Sequence, residues 1–125
     1  MVYSLAHWLA WLAVAMQALF GAFEIFAPRT VFDAVFPTYY DTSSAPTWVE
    51  TEKLARNMGL YNWFLALGLL LSLTGCLGFP PISQFFLFCV GVAGVFGLFS
   101  VGHSMAFWAQ MVLGLVPFLL LFRAF

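Results

Sequence analysis

A carboxyl group, three carboxamides and a phenol stand inside otherwise apolar runs of this chain: Glu24, Asn57, Tyr61, Asn62 and Gln110. Taking such groups away from water is costly unless each finds a partner, so their presence asks for a shared polar pocket. Gathered in one place, they would bind a small polar molecule or a lipid head group. A proton relay through Glu24 is the other chemistry they offer, with the amides and Tyr61 orienting whatever binds. The competing account is structural. Asn and Gln fasten helices to one another, and Glu24 has Arg29 and Arg56 available as ion-pair partners.

Other chemistries are poorly supplied. The only two histidines, His7 and His103, are expected at opposite ends of their helices, roughly 25 Å apart across a bilayer, too far to share an ion or a haem. His103 with Glu24 would give two ligands where protein metal sites use three or four, so no metal or other cofactor is expected. There is no Gly-x-Ser-x-Gly elbow, neither Cys76 nor Cys89 has a histidine nearby in sequence, and phosphate loops and dinucleotide fingerprints are absent. Both cysteines lie in apolar surroundings, where a thiol behaves as a small hydrophobe. With four Lys and Arg against five Asp and Glu, a net charge of -1 leaves no basic stripe for nucleic acid.

The elements that must position these residues follow from the solvent. Of 125 residues, 64% are apolar and 7% charged, whereas a soluble domain carries about a quarter of its residues as charged groups. A mean hydropathy of +1.00 points to a bilayer. The aromatic content of 20%, with 16 Phe, suits lipid-facing side chains more simply than a pigment or quinone groove. The expectation is an all-α integral membrane four-helix bundle in one domain, with spans at about 5–27, 54–77, 83–102 and 104–125. Ala13-Val14-Ala15 imitates a signal-cleavage site, but the basic segment of a signal peptide is missing, so the first apolar run reads as a span.

Between the first two spans, residues 28–46 carry Arg29, Asp33, Asp41 and three prolines and read as an interfacial loop. Val31, Phe32, Val35 and Phe36 are spaced for a short amphipathic turn on the membrane surface, and Tyr39, Tyr40 and Trp48 suit an aromatic belt. Thr47 and Glu50 fit a capping box for the second span. Gly78, Pro80 and Pro81 break the chain before the third, and Arg123 reaches the head groups at the end of the fourth.

Four crossings put both termini on one side and the first and third connections on the other, here called the loop side. Arg29, Lys53 and Arg56 favour a cytoplasmic loop side by the positive-inside rule, against Arg123 and the terminal amine opposite. Glu24, Asn57, Tyr61, Asn62, His103 and Gln110 all fall near the loop side. His7, Ala10, Val14, Gln17, Gly21 and Glu24 share one face of the first helix, and Asn57, Tyr61, Gly68, Ser72 and Gly75 one face of the second. Both stripes are expected to face inward and form a polar pocket open to the loop side. Gly91, Gly94 and Gly97 allow close approach of a backbone, either within the bundle or from a partner protein or second copy.

Phe23-Glu24-Ile25-Phe26 before Pro28-Arg29, Asn57-Met58-Gly59-Leu60-Tyr61-Asn62, and Phe64-Leu65-Ala66 together resemble the Domain of Unknown Function 1304 family. Phe85-Phe86-Leu87, Cys89-Val90, Val92-Ala93-Gly94, Gly97, Gln110 and Pro117 continue the pattern, which covers Phe20 to Leu121. The resemblance implies small four-span membrane proteins without an established activity. Two departures stand out: a longer first loop around Tyr39 to Pro46, suited to a partner protein, and Met58 where the pattern has Gln. The functional expectation is an accessory subunit of a membrane complex or a binder of a small ligand or lipid, with a small transporter or membrane enzyme built around Glu24 as the alternative.

Overall fold

Long apolar runs leave the backbone one way to satisfy its own polar groups, the helix, and the described residues form five, α5 accommodating Pro117 in its interior. The computed structural model describes residues 2–35, 45–77 and 81–122. Its elements are α1 (Val2–Phe26), α2 (Pro28–Val35), α3 (Ala45–Leu73), α4 (Pro81–Ser100) and α5 (Met105–Phe122). The segments Ser4–Phe26, Pro81–Ser100 and Met105–Phe122 are long and apolar enough to cross a membrane. The first half of α3 is diluted by Lys53, Arg56, Asn57 and Asn62, which keeps that helix out of the group.

Local chemistry sets the boundaries. Pro28 and Pro81 each open a helix, the position where a missing N–H removes nothing and the fixed φ is already helical. Ser104 precedes α5 and accepts a bond from the Ala106 N–H at 3.2 Å, as an N-cap should. Gly75 (φ 83) after α3 and Gly102 (φ 121) between α4 and α5 take left-handed conformations that residues with a Cβ resist. The expected cap at Thr47 is corrected: α3 starts at Ala45, so Thr47 lies inside the first turn. Residues 28–35, expected within a loop, are helical as α2, with Phe32 buried and Asp33 exposed. Tyr39, Tyr40, Gly78, Pro80 and Arg123, and the side chain of Trp48, lie outside the described residues.

Four long helices pack in the cycle α1, α3, α4, α5, each against its two neighbours. The contacts run antiparallel. On α1 and α3, Gly21 meets Gly59, and Trp63 Nε1 donates to the Ala18 carbonyl at 3.0 Å. On α4 and α5, Gly97 meets Phe107, Gly94 meets Met111 and Gly91 meets Leu115. On α3 and α4, Gly68 lies under Phe86, and the buried Ser72 and Ser83 hydroxyls bond at 2.6 Å. The glycine stripe of α4 therefore faces α5 of the same chain, the within-bundle contact that Gly91, Gly94 and Gly97 also allowed. Close backbone approach replaces side-chain interlock there, as it does where helices cannot rely on water to drive them together.

A candidate polar-floored cavity

Glu24 is placed by the buried stripe of α1, formed by Ala6, Ala10, Ala13, Gln17, Gly21 and Glu24, with His7 and Val14 at its edge. The small residues let α3 come close, and at that level Asn62 of α3 reaches across. Its Nδ2 donates to Glu24 Oε2 at 2.6 Å. Arg56, which sequence offered as a partner for Glu24, instead pairs with Glu52 at 2.7 Å one turn earlier on its own helix. Gln110 of α5 is buried and its Nε2 donates to Gln17 Oε1 at a long 3.5 Å. Gln17 is fully buried, and its own Nε2 has no partner.

Glu24, Asn62 and Gln110 belong to a cavity of about 640 Å³, lined from all five helices. That size falls within the roughly 300–1,000 Å³ of small-molecule pockets. Thr30, Tyr61 and Ser100 are its other polar lining residues, and most of the wall is carbon, from residues such as Phe20, Leu65 and Phe107. It sits at the loop side, between the last turns of α1 and α4 and the first turns of α5, with α2 laid across it and Phe32 only 3% exposed.

Of the five residues singled out from sequence, Glu24, Tyr61, Asn62 and Gln110 line this cavity. Tyr61 does so from its rim, 64% exposed. Asn57 does not line it and is exposed, a correction to the expected inward stripe of α3. The face of α3 that turns to α1 carries Gly59, Asn62 and Trp63, while Ala55 packs with Phe32 of α2. The α2 residues Val31, Phe32 and Val35 also line the cavity, which the sequence reading of a surface turn did not foresee. Gln17, on the inward stripe read from sequence, is buried behind Gln110 and outside the lining.

Neither histidine takes part. His7 Nε2 accepts from Trp11 at 3.1 Å, and His103 stacks on Trp108. Among the described residues no three His, Cys, Asp or Glu side chains gather in metal-binding proximity, and Cys76 and Cys89 are free thiols. What the arrangement can do is hold a mostly apolar molecule and satisfy a few hydrogen bonds at one end.

Fold and site together define an all-α protein with three helices long and apolar enough to cross a membrane, gathered around a partly open, largely carbon-lined cavity. The chain belongs to the family described as Protein of unknown function (DUF1304), whose model matches residues 11–122. No curated protein and no solved structure matches it.

Proposed function

We propose that this is an integral membrane protein of four spans whose task is to bind a small, largely apolar molecule in the loop-side cavity. The fourth span is α3. Antiparallel contacts join α1 to α3, α3 to α4 and α4 to α5, so α1 and α4 run the same way. If both cross a bilayer in one direction, α3 must carry the chain back. Its 29 residues reach about 44 Å at the helical rise, more than a hydrocarbon core of roughly 30 Å. Outward-facing Leu60, Phe64 and Leu67 on α3, with Trp8, Phe99 and Met105 elsewhere, give the assembly a surface suited to lipid.

The observation that carries the binding reading is the cavity itself, about 640 Å³ of carbon-lined space on which Glu24, Asn62 and Gln110 converge. An empty space of that size forfeits packing on every wall, so a resident molecule is its natural filling. An accessory-subunit role has less support, because the glycine face that would have received a partner is occupied by α5. Native mass spectrometry after mild detergent extraction tests the reading. The expected spectrum shows the protein with a stoichiometric small molecule, lost when Ala93→Trp fills the cavity wall. A bare chain, or an adduct indifferent to Ala93→Trp, would remove the basis for it. A second reading, a small transporter or membrane enzyme, draws on the same carboxyl group and differs in requiring Glu24 to exchange a proton.

A further inference from the structure

We infer that the cavity is loaded sideways from the lipid, between α3 and α4, by a single-chain amphiphile whose uncharged head both donates and accepts hydrogen bonds. This rests on the binding reading above and names its ligand class.

Two of the four seams are shut by close backbone contact, and the α1–α5 seam is closed at the cavity floor by buried Gln17 and Gln110. Between α1 and α3 a Cβ on either Gly21 or Gly59 would come within 2.7 Å of the other's carbonyl, and Gly91, Gly94 and Gly114 hold α4 and α5 as tightly. The loop-side end is crossed by α2, whose Phe32 is buried. The α3–α4 pair is different. It is fastened near its turn by Ser72 with Ser83 and by Phe86 over Gly68. Toward the loop side, Tyr61 and Leu65 of α3 and Ala93 and Phe96 of α4 line the cavity. Tyr61 and Phe96 are the most exposed aromatic residues of the lining, at 64% and 69%. They flank the proposed slot, on a side facing the zone where acyl chains would lie, so a lipid-borne molecule meets cavity lining there where an aqueous solute meets α2.

The head group follows from the floor. Glu24 takes one hydrogen bond from Asn62, and a carboxyl group has capacity for more. The Gln17–Gln110 pair holds a fully buried amide nitrogen without a partner, joined by a bond at the 3.5 Å limit. Carboxamide oxygen and nitrogen exchange places by a half-turn, so the pair as a whole has an N–H to give. A floor with an acceptor on one side and a spare donor on the other fits a hydroxyl or amide head. Among the described residues no Lys, Arg or His lines the cavity, so a phosphate would stand beside Glu24 without a cationic neighbour in the lining. The remaining walls are carbon, suited to one chain.

The test uses the full chain in phosphatidylcholine vesicles with a long-chain fatty alcohol bearing a diazirine, labelled by light and mapped by peptide mass spectrometry. The expected label falls on α3 and α4 around Tyr61, Leu65, Ala93 and Phe96. The double variant Gln17→Leu/Gln110→Leu, which removes both amides together and so strands neither, lowers it by about five-fold or more, the loss expected for one or two hydrogen bonds. Labelling of the outward Phe99 and Met105 stays unchanged and reports intact insertion. Equal cavity labelling by the matching headless hydrocarbon would overturn the head-group assignment. Cavity labelling by a short water-soluble diazirine alcohol but not by the lipid-borne probe would overturn side entry and leave the binding reading standing. Failure of both probes to reach the cavity would remove both.

Discussion

Glu24 accepts its 2.6 Å bond from Asn62 across α1 and α3, and a glutamine's carbonyl oxygen can accept the same bond. The Glu24→Gln chain should therefore fold and keep its bound molecule, with affinity within about ten-fold of the parent, since one hydrogen bond is altered and none is stranded. Binding of the co-purified molecule and thermal unfolding in detergent measure both. If fold and binding survive while a measured flux or turnover disappears, Glu24 moves a proton and the transporter or enzyme reading gains. Sequence placed Asn62 near the depth of Glu24, because helical rise fixes depth, but offered Arg29 and Arg56 as the carboxylate's ion-pair partners. Asn57 was not legible as an outward residue, because polar positions near the start of α3 were assumed to share the inward direction of polar positions in α1. Near the aqueous end of a helix, polar side chains can face solvent without penalty, and Asn57 does.

The α4–α5 pair rests on glycines at successive levels. A Cβ on Gly114 would meet the Gly91 backbone and one on Gly91 would meet Leu115. Backbone atoms cannot swing aside as a side-chain tip can, so Gly114→Ala should push the two helices apart and lower stability by about 1–3 kcal/mol, the usual range for overpacking. Thermal unfolding in detergent reads the change, and an unaltered midpoint would show that the pair is less tightly held than its geometry implies. Sequence showed that α4 could be approached closely, from Gly91, Gly94 and Gly97, but gave no means of choosing the partner. Helix α2 had the opposite history. Its spacing of Val31, Phe32 and Val35 was readable, while its role as cover over the cavity depends on where α1 ends relative to α3.

At the scale of the molecule, the proposed four spans would place α2 and the α3–α4 turn on opposite sides of the membrane. Cys76 in that turn and Asp33 on α2 are both exposed. In sealed vesicles of a Cys89→Ala background, a membrane-impermeant maleimide should reach Cys76 from one side. In a Cys76→Ala, Asp33→Cys chain it should reach the new thiol from the other side. Labelling of both from the same side would mean that α3 does not cross and would reduce the spans to three. The distinction matters for the cavity, because α3 supplies Asn62 and one edge of the slot.

The amino-acid sequence by itself determined the all-α class, the near-absence of charge, the approximate extents of α1, α4 and α5, and the depth at which Glu24, Asn62 and Gln110 meet. Each depends on quantities local to a segment: side-chain hydropathy, breaker positions and a fixed rise per residue. Only the tertiary structure decided how each helix is rotated about its own axis, that α5 packs on the α4 glycines, that Gln17 keeps an unpaired amide nitrogen behind Gln110, and that Tyr61 and Phe96 stand exposed on the cavity lining. Those outcomes depend on contacts between residues far apart in the chain, where one added methyl group sets the spacing of two backbones.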